Sequence, residues 1–344
     1  MAQVGIESVL VAGRGPAACA VITACSRLGV KTVAVCSEAE RSARHVRLAD
    51  ESVLLGPAPA AESYLAVDRI VEAALRSGVP AVLPVPPALA GSARLAGAVT
   101  KAGLTWVGPD AEVLERLGGD GVEPASERGL LTWVTDEGLR FPTPVCRDRA
   151  AGIARVSWTP PEGAEPPAAA RRLVEVGWRG LVTVGIDPEG ELAEVAAGFS
   201  LDMAVLERAH RVSAVDLALR SVTGSAGPPE PEKPLSAVVA QLRCTLPPGT
   251  PGRVTGRLPD GGGEPGQAAG EIVAVSGYEP GDRLDGWYDA LLATVSAGAD
   301  DVVSAARAVA QALSPEADVG VPHDGAEVCA VLDRLARGEE RSGG

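Results

Sequence analysis

Over its first third the chain switches repeatedly between strand-like and helix-like spacing of apolar positions. Ser8-Val-Leu-Val-Ala-Gly-Arg-Gly15 is a short apolar run that breaks into a glycine turn, and Pro16 opens a helix predicted over 17–28 that stops at Gly29. Lys31-Thr-Val-Ala-Val-Cys36 is a second strand, and a charged run over 38–51 closes the unit. A right-handed crossover makes these two strands parallel neighbours. The spacing of Leu65, Ile70, Val71, Ala74 and Leu75 predicts a helix over 64–77, ended by Gly78. Ala81-Val-Leu-Pro-Val85 follows as a strand, 92–102 as a helix, and Leu104-Thr-Trp-Val107 as another strand. Asp110 is placed to cap a helix over 111–117, with Glu112 in its first turn. Alternation over 8–118 predicts an α/β fold with a doubly wound, Rossmann-like parallel sheet.

Beyond residue 139 the pattern changes to hairpins. Phe141-Pro-Thr-Pro-Val-Cys-Arg-Asp148 and Ile153-Ala-Arg-Val-Ser-Trp158 read as paired strands, and 168–176 as a helix. Gly180-Leu-Val-Thr-Val-Gly-Ile186 and Glu191-Leu-Ala-Glu-Val195 read as a hairpin around Asp187-Pro-Glu-Gly190. Helices are predicted over 203–211 and 214–222, and a linker of Gly, Ser, Pro and charge over 224–234. Strands follow at Val238-Val-Ala-Gln-Leu-Arg243, Gly252-Arg-Val254 and 270–275, then an amphipathic helix over 300–313. Residues 336–344 are polar and expected to fray.

A length of 344 residues allows two or three compact units. Hydrophobic content is 46% but aromatic content only 3%, so the cores must be built from Ala, Val and Leu. A formal net charge of −14 argues against nucleic acid and anionic membrane surfaces as partners. No apolar run approaches a membrane span and the start of the chain lacks a signal pattern, which leads us to expect a cytoplasmic protein. The cysteines (Cys19, Cys25, Cys36, Cys146, Cys244, Cys329) show no C-x-x-C spacing, which argues against a disulfide framework or zinc site. Lysine is scarce: Lys31, Lys101 and Lys233 are the only three among 31 basic residues. Arginine does not replace lysine where a phosphate needs a compact point charge.

The opening turn admits two readings. Gly13-x-Gly15-x-x-Ala18 with Glu38 at the end of the next strand satisfies a loose dinucleotide fingerprint, with a pyrophosphate on the helix N-terminus. Alternatively, a turn of this kind simply needs small residues.

The words of the sequence carry a resemblance that bears on this choice. Val11-Ala-Gly-Arg-Gly15, Leu28-Gly-Val-Lys-Thr-Val-Ala-Val35, Ser37-Glu-Ala-Glu-Arg41, His45-Val-Arg-Leu-Ala-Asp-Glu51, Gly56-Pro-Ala-Pro59, Glu62-Ser-Tyr-Leu65, Trp106-Val-Gly-Pro109 and Leu117-Gly-Gly-Asp120 stand in order. Together they resemble the N-terminal domain of biotin carboxylases. The resemblance implies a Rossmann-like lobe that holds no dinucleotide, followed by an ATP-grasp core and a C-terminal α+β unit. It is strong to residue 120 and weaker beyond.

Against that family the chain has selective gaps. The family loop His-Pro-Gly-Tyr-Gly-Phe-Leu-Ser-Glu-Asn is here Leu83-Pro-Val-Pro-Pro-Ala-Leu-Ala-Gly-Ser92, read as a stiff connector. Residues 118–139 are too few for the ATP-grasp lid and contain no lysine. The implied magnesium glutamates fall on Thr183 and Ala196, with Glu191 and Glu194 nearby but out of register. The implied base falls on Val205 and its arginine on Leu201. Asp202, Glu207 and His210 are expected on an exposed helix face. The family's Tyr-Tyr-Asp-Ser-Met-Ile-x-Lys is here Trp287-Tyr-Asp-Ala-Leu-Leu-Ala-Thr294, so that its Ser and Lys become Ala290 and Thr294. The arginine for biotin and bicarbonate falls near Val273, and the dimer-face charges become Thr23 and Arg27.

The expected organisation is a biotin carboxylase N-terminal-like domain (1–118), a short connector (119–139), a truncated ATP-grasp core (140–232), a C-terminal-like domain (233–335) and a polar tail (336–344). No catalytic, cofactor-binding or metal-binding residue is assigned, and no cofactor. The expected function is that of a non-catalytic protein binding acyl-CoA carboxylase subunits (biotin carboxylase, carrier or carboxyltransferase) or a second copy of itself. The alternatives are an active ATP-dependent biotin carboxylase and a small-molecule binder using the open cleft.

Overall fold

The computed structural model describes residues 5–117, 124–150, 152–160, 170–228, 230–231, 233–262, 271–289, 291–313 and 318–339. The first lobe runs β1 (Ser8–Ala12), α1 (Gly15–Arg27), β2 (Lys31–Ser37), α2 (Arg44–Leu48), β3 (Glu51–Gly56), α3 (Val67–Ser77), β4 (Ala81–Pro84), α4 (Pro87–Ala90), α5 (Ala93–Lys101), β5 (Thr105–Trp106) and α6 (Ala111–Leu117). Its five strands pair in parallel in the order β3-β2-β1-β4-β5. The core of β1 shows why: Val9, Leu10, Val11 and Ala12 are all fully buried, as a strand covered on both faces must be. Val9 and Val11 pack with Ile22 and Cys25 of α1, whereas Leu10 and Ala12 pack with Ile70 of α3 and Leu95 of α5.

The rest of the chain continues with β6 (Arg128–Thr135), β7 (Gly138–Ala150), β8 (Ile153–Trp158), α7 (Arg171–Glu175), β9 (Gly180–Ile186), β10 (Leu192–Ala197), α8 (Met203–His210) and α9 (Ala214–Thr223). It ends with β11 (Ser236–Arg243), β12 (Gly252–Arg253), β13 (Gly261–Gly262), β14 (Ile272–Ser276), β15 (Arg283–Leu284), β16 (Leu291–Ala299), α10 (Val302–Leu313) and α11 (Gly325–Ala336). Nine of these strands form one antiparallel sheet in the order β10-β9-β6-β7-β8-β11-β16-β14-β13. The join is β8 to β11, through Trp158 opposite Val238, Ser157 opposite Val239 and Val156 opposite Ala240. The truncated core and the C-terminal unit, expected as separate stretches, therefore share a sheet.

Three local expectations change. The connector expected over 119–139 contains β6, whose Leu130, Leu131, Trp133 and Val134 are buried between β7 and β9. Measuring that stretch against the length of a lid hid its strand pattern. The helix expected over 64–77 begins at Val67, after a 3-10 turn at Ala60–Glu62. The proline run after β4 is not a plain connector, because Pro87 opens the short helix α4. The predicted helix over 168–176 is described only from residue 170, and α11 was not anticipated from sequence.

Candidate functional site

A cleft forms where the carboxyl ends of β1 and β4 face the antiparallel sheet. In an open sheet of this order the crossovers change direction there, which leaves a crevice outside the strand ends. The small residues of the β1–α1 turn answer to packing and backbone. A Cβ on Gly13 would stand 2.6 Å from Val85 Cβ, and Gly15 takes φ +64°, a left-handed conformation that favours glycine.

The acid that matters at the end of β2 is not Glu38, which is exposed, but Glu40. Glu40 is 7% exposed and receives Arg14 twice, Nη2 to Oε1 at 2.7 Å and Nε to Oε2 at 2.9 Å. The Tyr64 hydroxyl donates to the same carboxylate at 2.7 Å. Burial opposes ionisation of Glu40, yet Arg14 beside it prevails and holds the carboxyl below its ordinary range. Burial, helped by that carboxylate, pushes the Tyr64 phenol up.

Tyr288 reaches into this cluster from the antiparallel half. Its ring centroid lies 4.5 Å from Arg14 Cζ and 5.3 Å from the Tyr64 ring, edge to face. Its hydroxyl bridges Ser37 Oγ at 2.6 Å and the Ala58 carbonyl. Nearby, Arg44 pairs with Asp260 at 2.5 Å, and Arg47 with Glu279 at 2.8 Å and Asp282 at 2.9 Å. The lobe is thus tied to the sheet by charge and by one inserted aromatic side chain.

Beside Tyr288 the cleft opens into a cavity of about 610 Å³, walled chiefly by apolar groups including Pro86, Leu89, Ile153, Phe199, Trp287 and Leu291. Asp202, at its edge, accepts from Arg147 Nε at 2.6 Å and from Ser157 Oγ at 2.5 Å. Both charged side chains of that pair are nearly inaccessible, at 1% and 2% exposed.

Comparison with known proteins gives this architecture a relationship. Residues 5–114 match the family model "Biotin carboxylase, N-terminal domain". The biotin carboxylase of Pseudomonas aeruginosa is 43% identical over 150 residues, which is 44% of this chain and 33% of that protein. The alpha subunit of the rice (Oryza sativa) mitochondrial methylcrotonoyl-CoA carboxylase is 50% identical over 113 residues, 33% of this chain and 15% of that protein. These matches thus span a third or less of the curated relatives. The amino-terminal lobe is similar in sequence to the N-terminal domain of biotin carboxylases.

The similarity of fold runs further than the similarity of sequence. The biotin carboxylase domain of Hydrogenobacter thermophilus 2-oxoglutarate carboxylase superposes with a TM-score of 0.80 at 18% identity, covering 97% of this chain and 95% of that one. Rhizobium etli pyruvate carboxylase gives 0.81 at 22%, covering 97% of this chain and 35% of that one. By fold, then, the chain is biotin carboxylase-like throughout.

Thr183 on β9 and Ala196 on β10 pair directly across the hairpin. Thr183 is fully buried and its hydroxyl bonds Ser200 Oγ at 2.7 Å. Glu194, two residues before Ala196 on the same face, stands opposite Gly185 and accepts from Ser126 N and Oγ at 3.1 and 2.7 Å. Glu191 lies in the turn, its N–H bonded to Asp187. Val205 is fully buried in α8, and Leu201 lines the cavity. Thr23, Arg27, Val273 and Thr294 border a second cavity of about 390 Å³, while Ala290 lies outside the described residues. All three lysines are exposed.

The helix-face expectation fails for three residues. Asp202 is 2% exposed because it neutralises Arg147 from the start of α8. His210 is 5% exposed, with Nε2 at 3.0 Å from Thr143 Oγ1, and burial, opposed by Glu230, pulls its pKa down to about 4. Glu207 accepts the N–H of Ala214 at 2.8 Å, and burial raises its carboxyl despite Arg208. A polar residue every few positions looked like a solvent face, but α8 is covered on both sides. Sequence reading also missed the Arg14–Glu40–Tyr64–Tyr288 cluster. The signal was present, since Arg14 is the unspecified middle residue of the very glycine turn.

Proposed function

We propose that this chain is a non-catalytic biotin carboxylase-like protein that acts by binding in the cytoplasm, as a structural or regulatory component of an acyl-CoA carboxylase assembly or paired with its own copy. The supporting observation is the direct pairing of Thr183 with Ala196. A hard cation in phosphoryl chemistry takes carboxylate oxygens. These positions, which the family resemblance equips with glutamates, offer a methyl group and a hydroxyl already bonded to Ser200. Glu194 faces the same way but is held by Ser126, two pairing steps away. Buried Val205 has no proton to accept or give where a general base is implied. Such a donor set does not fit magnesium-nucleotide, and no catalytic step through it follows. The choice of partners draws on the relatives, among them alpha chains of methylcrotonoyl-CoA and propionyl-CoA carboxylases.

Two measurements test the proposal. The purified chain given ATP, magnesium, bicarbonate and biotin should release no ADP above background, and bicarbonate-dependent release would establish the active-carboxylase alternative. Tagged protein recovered from its native host should carry carboxylase subunits or a second copy of itself. A monomer recovered without them would remove the assembly role.

A further inference from the structure

We propose that the face of the antiparallel sheet turned away from the cleft carries a separate site, which takes a small monocarboxylate. The site does not rest on the partnership above. Successive residues of a strand point to opposite faces. Arg147 and Ser157 stand opposite one another on β7 and β8, and both reach Asp202 of α8 on the cleft side. Their neighbours Cys146, Asp148 and Trp158 therefore face the other way, where Val156 shares a core with Val331 and Leu332 of α11. The same ladder sets Arg128 of β6 opposite Cys146 and Cys146 opposite Trp158, so these residues form a row across three strands. Between that row and the last turns of α11 lies a cavity of about 300 Å³, at the lower end of the range of small-molecule sites.

The row is short of acceptors. The Trp158 ring nitrogen can only donate, and it is buried with no hydrogen-bond partner among the described residues. Buried donors are rarely left so. Arg128 is exposed, and its guanidinium makes no hydrogen bond or ion pair among the described residues. Adjacent strands lie about 4.8 Å apart, so Arg128 and Trp158 start about 10 Å apart and an anion above Cys146 stands within reach of both side chains. Arg334 closes a third side, giving one bond to Asp148 at 3.3 Å while its remaining donors are unbonded among the described residues. An arginine fork suits a planar carboxylate. The neighbouring acids decide the charge of the occupant. Asp148 is shared by Arg155 and Arg334, Glu339 pairs with Arg337, and Glu127 stands exposed at the rim. Three negative groups around the cavity raise the cost of each further charge, which favours a monoanion over phosphate. The Trp158 ring, Val331 and Leu335 give its body an apolar wall.

The test is calorimetry at pH 8 on the full chain with benzoate, benzamide and phenyl phosphate, which share a ring and differ in charge. Benzoate should bind more tightly than either of the others. Arg128→Gln, at an exposed position, should weaken benzoate at least about tenfold and leave benzamide unchanged. Trp158→Phe keeps a ring but removes the N–H, and should weaken benzoate and benzamide alike, since both offer that donor an oxygen. Trp287→Ala, in the cleft, should leave benzoate unchanged. Benzoate no tighter than benzamide, phenyl phosphate as tight as benzoate, an unaffected Arg128→Gln variant, or no heat from any probe would overturn the proposal. Loss of benzoate binding in Trp287→Ala would place the anion in the cleft and overturn it as well.

Discussion

The parallel lobe and the antiparallel sheet differ in how completely they satisfy buried polar groups. Among the described residues, ten buried side-chain nitrogen or oxygen atoms lack a hydrogen-bond partner. One, Arg44 Nε, belongs to the lobe, and it still lies 3.3 Å from Glu279. The other nine belong to the second half, including Arg147 Nη2, Arg208 Nε, His210 Nδ1 and Arg243 Nε. Each such atom carries a desolvation penalty of about 1–3 kcal/mol. The half that resembles known sequences closely is thus also the half whose polar groups are matched. The other half keeps the fold while holding arginines in incompletely matched surroundings.

The strongest way to break this contrast is at Asp202. Removing it leaves the Arg147 guanidinium buried with only the Ser126 carbonyl as acceptor among the described residues. Asp202→Ala should destabilise the protein by about 3–5 kcal/mol in urea unfolding. The double variant Asp202→Ala with Arg147→Met should recover most of that loss, because no charge is then stranded. If the single variant is no weaker than wild type, the pair is not the anchor described.

A second test uses pH. His210 has its pKa pulled from 6.5 to about 4 by burial, with Glu230 opposing. Between those values the unfolded chain binds more protons than the folded one, so stability falls as pH falls through the window and is fully present above it. The loss should be on the order of 2–3 kcal/mol at its acid end. His45 in the lobe is also lowered by burial, but Glu40 beside it opposes the shift and its ring bonds the Val35 carbonyl. His210→Asn should therefore flatten the slope of stability against pH more than a change at His45 does.

How much was legible in the sequence follows the same division. In the lobe, the run Ser8–Ala12 and its glycine turn fix a strand, a crossover and a helix by local rules, and the structure has all three. The hairpin of β9 and β10 was equally plain, because Asp187-Pro-Glu-Gly190 is a turn in its own right. The joining of β8 to β11 was not, since long-range antiparallel pairing leaves no local mark. Nor was the burial of Asp202 and His210 visible. Spacing on α8 reports which residues share a face, not how many faces are covered. At the candidate site, the strands that carry Thr183 and Ala196 were legible from their turn, whereas the Arg14–Glu40 cluster required the fold.

That cluster offers the lobe's counterpart to Asp202. Arg14 is 19% exposed in its side chain and has further acceptors in Tyr278 and the Asp289 carbonyl. Glu40→Gln should accordingly cost less than Asp202→Ala, about 2 kcal/mol, again by urea unfolding. A cost equal to that of Asp202→Ala would mean the two pairs are buried alike and that water does not soften the first.

Helix caps should be blind to the division, which makes them its control. In the lobe, Ser92 accepts the N–H of Leu95 at 3.2 Å to start α5. In the second half, Ser213 accepts the N–H of Asp216 at 3.4 Å to start α9. Both hydroxyls satisfy one of the donors that every helix leaves free in its first turn, and both sit only partly buried. Ser92→Ala and Ser213→Ala should each cost about 1 kcal/mol, measured as a small fall in the unfolding midpoint. The equality matters more than the size. If Ser213→Ala were much the milder, the second half would be loose even in its backbone, and the unmatched arginines would be a symptom of poor order. Equal costs mean that its helices are as firmly made as those of the lobe, and that the mismatch belongs to particular side chains around the cleft.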